Sequence, residues 1–506
     1  MSLPGTIPAL VASAAAEFDG TEAVADGGRR VSFAELHELT RRAAAVCIDR
    51  GAKPGDRVGI WAPNTLDWVV AALGALTAGA ALVPLNTRYK GEEANWILDR
   101  SGAAMTFVSP PFLGNDYPAM LGPRDNTVVL EASLWADALT DQAGAEVDAR
   151  IAAISPEDTG DLIFTSGTTG RPKGVVTTHA QTIRVFDTWS DIVGLRAGDR
   201  YLVVNPFFHT FGYKAGIIAC LLRGATIIPQ AVFDVPVVLD LIESEKVSVL
   251  PGPPTLYQSI LDAPDRATRD LSSLRLIVTG AAVVPVVLIE RLRDEMSVET
   301  ILTAYGLTES TGTVTMCRQG DSAETIATTS GRAIPDTEVR VVDETGNALP
   351  PGEAGEVVVR GYNVMQGYFE DPEATASTVV DGWLHTGDIG MLDDAGNLKI
   401  TDRLKDMFVV GGFNAYPAEI EQMLMSYPGI AECAVVGVPD ERLGEVGAAF
   451  VVPRPGEVLE PAEIVAWCRE RMANFKAPRT VSVVDSLPRN ASGKVLKFEL
   501  RNTLTP

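Results

Sequence analysis

Short runs of branched aliphatic residues recur along the chain at Arg57–Ile60, Leu82–Leu85, Leu162–Phe164, Leu202–Val204, Val247–Leu250 and Leu276–Val278. Each is followed by a Gly- or Pro-containing turn, and amphipathic stretches lie between several of them. Runs this short and apolar suit strands buried on both faces, and the amphipathic stretches suit the helices that cover them. The alternation predicts an α/β fold with covered sheets, whose ligands gather at the turns outside the carboxyl ends of strands. A single hydrophobic core stops growing at about 250–300 residues, so a chain of 506 residues divides into several units.

From about Thr337 the texture changes. Glu338–Val342, Glu356–Arg360 and Leu398–Thr401 read as strands joined by tight turns such as Glu344-Thr345-Gly346-Asn347, a mostly β section that closes the large domain. Beyond Asp402 a compact αβ piece is expected. It has helices at Pro417–Met425 and Pro461–Met472, and strands at Cys433–Val438, Ala448–Val452 and Thr480–Val484. The predicted organisation is a large N-terminal domain over 1–404, built of two covered sheets plus the β section, and a small C-terminal domain over 405–506.

The formal net charge of -24 argues against non-specific binding to nucleic acid or to an anionic membrane. Residues 466–506 are the basic exception and are expected to help meet anionic ligands. Five cysteines, none in a CxxC pair, argue against a zinc site or disulfide framework and suit a reducing cytoplasm. The start of the chain has no basic residue before Arg29, so no secretory signal is expected; Ile7–Ala16 reads as a packed first helix. The uncharged stretch Trp68–Leu85, rich in Ala and Gly, reads as a buried helix leading into a strand rather than a membrane span.

The most informative string is Thr165-Ser166-Gly167-Thr168-Thr169-Gly170-Arg171-Pro172-Lys173-Gly174, which follows the apolar run Leu162–Phe164. Its glycines allow close approach of a ligand, its hydroxyls and successive N–H groups offer donors, and Lys173 offers a charge: a loop suited to a polyphosphate. It is not a Walker A loop, because Arg171 and Pro172 separate Gly170 from Lys173. Tyr305, at the end of the run Thr300–Ala304, can stack on a purine. Glu309 offers a hard oxygen ligand for Mg²⁺. Asp388, read as lying in a turn after Gly387, can accept from a ribose diol. Lys494 by itself reads as a solvated lysine, but a mobile ammonium could neutralise charge where a carboxylate attacks a phosphate.

Five segments in order resemble the adenylate-forming superfamily of acyl-CoA synthetases, peptide-synthetase adenylation domains and luciferases. They are Thr165–Gly174, Tyr305-Gly306-Leu307-Thr308-Glu309, Trp383-Leu384-His385-Thr386-Gly387-Asp388, Asp402-Arg403-Leu404-Lys405-Asp406 and Pro488-Arg489-Asn490-Ala491-Ser492-Gly493-Lys494. The resemblance implies that ATP is held by Thr165, Ser166, Gly167, Thr168, Thr169, Gly170, Lys173, Gly280, Ala281, Ala282, Tyr305, Gly306, Thr308, Asp388, Arg403 and Lys494. It implies that Glu309 and Thr165 hold Mg²⁺, that Lys494, Glu309 and Thr165 are catalytic, and that Lys405 is a hinge on which a mobile C-terminal domain turns. Phe208, His209, Gly306 and Leu307 would meet the acyl group, and Gly411 and Gly412 the CoA arm.

The implied enzyme is an AMP-forming acid–thiol ligase. A carboxylic acid, ATP and CoA give acyl-CoA, AMP and pyrophosphate through an acyl-adenylate, and the acid is fatty or a ring-bearing, steroid-derived propanoate. The expected partners are small molecules, with no nucleic acid, no integral membrane contact, and a monomeric or homodimeric state. Transfer of the acyl group to a separate carrier protein, and a non-catalytic nucleotide-binding scaffold, are the rival readings.

Overall fold

The computed structural model describes the chain except residues 1–2, 137, 167–171, 281–283, 285, 344, 404–407, 416, 455, 489–494, 496 and 505–506. It falls into two compact units. One comprises Met1–Thr87, Leu98–Ile163 and Gly174–Thr401; the other comprises Arg88–Ile97, Phe164–Lys173 and Asp402–Pro506.

The large unit is built on parallel strands whose side chains are buried on both faces. Arg57–Trp61 lies between Ala81–Pro84 and Ala103–Val108, parallel to both, and Thr127–Val129 follows at one edge. On the other side the order continues through Thr159–Ser166 and Pro172–Thr178. The two-residue strand Gly367–Tyr368 closes that edge antiparallel, with the N–H groups of Gln366 and Phe369 donating to Val176 and Gly174. The uncharged run resolves into the helix Leu66–Thr77, buried except at Asp67, and the strand Ala81–Pro84. The helix packs so closely on Phe33–Asp49 that a Cβ at Gly74 would lie 2.3 Å from the Ala43 Cβ, so only glycine fits. Among the described residues no helix is long and apolar enough to cross a membrane.

A second pair of parallel ladders carries Glu22–Asp26, Thr226–Pro229 and Arg200–Val203, and Leu276–Gly280 beside Thr300–Tyr305. The strand expected at Val247–Leu250 is reduced to one bridging residue: Val249 pairs with Tyr201 on one side and Leu276 on the other. Pro251 follows at once and, lacking an N–H, ends the pairing towards Arg200–Val203, while the Gly252 N–H still donates to the Val278 carbonyl at 3.0 Å. The β section is antiparallel, with Gly355–Gly361 between Thr337–Val342 and Trp383–Leu392. Its buried valines Val357 and Val359 pack with Leu384 and Leu398.

In the second unit, Ile430–Asp440 and Gly444–Pro453 form a long antiparallel pair. Phe408–Val410 and Thr480–Val483 both pair with Gly444–Pro453, and the helices Pro417–Leu424 and Pro461–Arg471 cover the core. Gly411 and Gly412, with φ of 55° and 84°, make the two-residue turn between Phe408–Val410 and Phe413–Ala415, a conformation that favours glycine at both positions. Lys476 is buried here between two carboxylates. Its Nζ lies 2.9 Å from Glu93 Oε1 and 2.6 Å from Glu419 Oε1, over the Tyr89 ring. Lys497 likewise pairs with Glu421 at 2.7 Å. Two cations of the basic 466–506 stretch are therefore engaged within the fold.

Candidate active site

Leu276–Gly280 and Thr300–Tyr305 run in parallel register and end together, with Gly280 opposite Ala304. A Cβ at Gly280 would approach the Ala304 carbonyl to 2.8 Å. Past Tyr305 the chain folds back tightly. A Cβ at Gly306 would sit 2.2 Å from the Gly312 carbonyl, and Thr308–Ser310 form a single 3₁₀ turn. The Gly312 N–H donates to the Leu307 carbonyl at 2.8 Å, and Thr311 and Gly312 take positive φ. This turn presents Glu309. Its carbonyl accepts from the Met365 N–H at 2.8 Å, and its Oε1 accepts from the Tyr368 hydroxyl at 2.9 Å. Tyr368 therefore orients the carboxylate. Its only sequence signal is an aromatic pair beside Gly367.

The structure brings Tyr305 and Asp388 together: the Tyr305 hydroxyl donates to Asp388 Oδ2 at 2.7 Å, and Asp388 is only 3% exposed. Asp388 is not in a turn, as its preceding glycine suggested. It lies inside the strand Trp383–Leu392, at an irregularity where the register with Gly355–Gly361 shifts and Gly387 adopts φ 70°. Glu356 holds this bulge, accepting from the Gly387 N–H at 3.1 Å while its other oxygen meets His385 Nδ1 at 2.9 Å. The Asp388 N–H donates to Thr386 Oγ1 at 3.1 Å. Glu356 lies about thirty residues upstream of the motif, and no local pattern marks it.

His209 keeps solvent-accessible surface although protein packs around it, and the resulting desolvation lowers its pKa. Its Nδ1 accepts from the Phe211 N–H at 3.3 Å, which suits the neutral ring. Phe207, buried against Trp68, is held by Asn64, whose Oδ1 accepts from the Phe207 N–H at 2.8 Å. Phe208 is half-buried. After His209 comes a π-helix, Phe211–Ile218; a Cβ at Gly212 would strike the Pro206 carbonyl at 2.1 Å.

Thr165 stands near the end of the strand Thr159–Ser166, and Lys173 near the start of Pro172–Thr178, so the ten-residue string joins two adjacent strands. Gly167, Thr168, Thr169, Gly170, Ala281, Ala282, Lys405 and Lys494 lie outside the described residues, as do the side chains of Ser166 and Arg403. Among the described residues no group of three His, Cys, Asp or Glu side chains could hold a metal. A single oriented carboxylate at Glu309 fits Mg²⁺, which is often bound through one or two carboxylates together with substrate phosphates.

A family model described as AMP-binding enzyme matches residues 11–369, and one for the AMP-binding enzyme C-terminal domain matches 419–494. The chain is 52% identical over 518 residues to the 3-[(3aS,4S,7aS)-7a-methyl-1,5-dioxo-octahydro-1H-inden-4-yl]propanoyl:CoA ligase of Rhodococcus jostii, covering 98% of each chain. It is 52% identical over 508 residues to the ligase of the same name from Mycobacterium tuberculosis, again covering 98% of each. A solved structure of o-succinylbenzoate CoA synthetase from Bacillus subtilis, bound to a product analogue, superposes with TM-score 0.83 at 29% identity, covering 97% of this chain and 98% of that one.

Proposed function

Since the chain belongs to the AMP-binding enzyme family and is an AMP-forming acyl-CoA ligase, we propose that its acid is a propanoate borne on a fused-ring skeleton of steroid origin. The observation that carries this is the 52% identity, over 98% of both chains, to two ligases named for a propanoyl group on a methylated, dioxygenated bicycle.

In the first half-reaction a carboxylate oxygen attacks the α-phosphorus of ATP, the Pα–O bond to the β-phosphate breaks, and pyrophosphate leaves. In the second, the CoA thiol attacks the acyl carbon and AMP leaves. The Thr165–Gly174 loop holds the phosphates through backbone N–H groups, hydroxyls and Lys173. The Tyr305 ring lies against the adenine, and Asp388, already oriented by the Tyr305 hydroxyl, receives the ribose hydroxyls. Glu309, oriented by Tyr368, would hold Mg²⁺ with Thr165; the ion, when bound, neutralises phosphate charge. Phe208, His209 and Leu307 line the acyl site, His209 as a neutral binding group rather than a base.

Lys494 steadies the charge that builds between carboxylate and phosphate, and rotation of 405–506 about Lys405 brings the Gly411-Gly412 turn to the CoA arm. The five cysteines, all free, suit a reducing cytoplasm, where we place the enzyme as a monomer or homodimer.

CoA-dependent AMP formation measured across linear, aromatic and bicyclic propanoic acids tests the substrate. The bicyclic propanoate should give the highest kcat/KM, and turnover of linear acids with none of the bicyclic ones ends the proposal. For the roles, Lys494→Ala should slow pyrophosphate release about 10²–10³-fold yet largely spare thioester formation from a supplied acyl-adenylate.

A further inference from the structure

One charged side chain in the interior of the large unit is used by none of these roles. Lys214 sits on the π-helix Phe211–Ile218 with none of its surface exposed. Its Nζ donates to Thr177 Oγ1 at 2.8 Å and pairs with Asp161 Oδ2 at 3.0 Å, and the Thr177 hydroxyl donates to Asp161 Oδ1 at 2.8 Å. Asp161 and Thr177 are fully buried too.

The three residues come from three chosen places. Asp161 is on the strand that leads into the Thr165–Gly174 loop, four residues before Thr165. Thr177 is on the strand that leads out, three residues after Gly174 and next to Thr178, which caps the helix His179–Val193. Lys214 follows His209 by five residues on one rigid turn, since the Tyr213 N–H donates to the His209 carbonyl. One ammonium thus ties the entry strand and exit strand of the loop to the helix that continues the His209 segment. An apolar trio of the same shape would fill this space at no loss of stability, because desolvation of buried charges consumes most of what their pairing returns. π-Helices are rare and concentrate at functional sites.

We propose that Lys214 is a positioning residue that sets the phosphate loop relative to the acyl-binding His209 segment, so that acid and ATP are aligned for adenylation. The proposal rests on the assignment of Thr165–Gly174 to ATP phosphates. Misplacement of reacting groups by about 1 Å costs on the order of 10²-fold in rate, and it acts only on the half-reaction those groups perform.

The test uses the full-length enzyme and reads the two half-reactions separately. Lys214→Met leaves Asp161 buried without its cation, so the double variant Lys214→Met/Asp161→Leu carries the measurement, with Thr177→Val as an independent cut of the same tie. The expected result is a folded protein in both cases, with a wild-type thermal midpoint for the double variant and a slightly lowered one for Thr177→Val. Acid-dependent pyrophosphate release falls about 10-fold or more, with the loss in kcat rather than in the KM for ATP, while thioester formation from supplied acyl-adenylate stays within about twofold. Unchanged pyrophosphate release in both the double variant and Thr177→Val overturns the proposal, as does an equal fall in both half-reactions. Thr165→Val separates the two readings: if it impairs pyrophosphate release while the Lys214 variants do not, the tie is wrong and the loop stands. If Thr165→Val changes nothing, the loop assignment itself has failed.

Discussion

Three buried bases in this molecule form a graded series. His179, 1% exposed at the first turn of its helix, has no carboxylate in hydrogen-bond contact among the described residues. Burial holds its pKa near about 4, with Asp158 only weakly opposing, and its neutral Nδ1 accepts from the Ile7 N–H. Lys214 has one carboxylate, Asp161, and a hydroxyl; desolvation still prevails and its pKa lies below the usual lysine value. Lys476, in the other unit, has two carboxylates and an aromatic face. Burial opposes its charge too, but Glu419 and Glu93 outweigh it and the pKa is raised. Similar burial therefore yields opposite electrostatics, and the number of acids in contact decides the sign.

Breaking the strongest member should cost most. Lys476→Met strands two carboxylates in the interior and should destabilise its unit by about 3–5 kcal/mol, followed by denaturant unfolding of that unit. Lys214→Met strands one carboxylate and should cost about 3 kcal/mol, recovered when Asp161→Leu is added. A smaller cost at Lys476 than at Lys214 would overturn the ranking.

The alkaline limb sharpens the contrast further. Between the depressed pKa of folded Lys214 and about 10.5 the unfolded chain binds the extra proton, so this residue makes stability rise with pH. Lys476 does the reverse: its contribution is present below about 10.5 and fades as pH climbs towards its raised pKa. Removing each lysine should change the slope with opposite sign, by up to about 1.4 kcal/mol per pH unit. His179 gives the same magnitude in acid. From about 6.5 down to about 4 the unfolded chain protonates first, so stability falls with pH there, and His179→Gln should flatten that limb.

None of the three bases carried a role in the sequence reading, and the reason is physical. Lys214 stands as the lone charge in the apolar stretch Phe207–Leu222, a signal that could have marked it. Its partners Asp161 and Thr177 are brought to it only by tertiary folding. Lys476 belongs to the basic stretch 466–506, whose charges sequence places in solvent, whereas the fold encloses it.

Periodicity served well where packing decides the element. The helices Ile7–Phe18 and Pro461–Arg471 begin and end within a residue or two of expectation. The strand expected at Cys433–Val438 runs from Ile430 to Asp440, because Gly444–Pro453 keeps pairing beyond the apolar run. Periodicity failed at Val247–Leu250, where Pro251 lacks the N–H to continue pairing towards Arg200–Val203, and at Asp388, where a remote glutamate holds a bulge within a strand. The candidate site residues were chosen by their types and their order along the chain. Tyr368 and Glu356, which aim two of those residues, were not, because orientation is a property of neighbours distant in sequence.

The two-residue strand Gly367–Tyr368 has a consequence for biosynthesis. It is what covers the open side of Pro172–Thr178, yet it follows that strand by roughly 190 residues, which at about 5–20 residues per second leave the ribosome some 10–40 s later. Throughout that interval the nascent chain carries an uncapped row of backbone donors and acceptors beside the Thr165–Gly174 string, open to pairing with a neighbouring polypeptide. The vulnerable moment of this enzyme is therefore midway through its own translation, and a chaperone that shields emerging strands would raise its yield most by acting in that window.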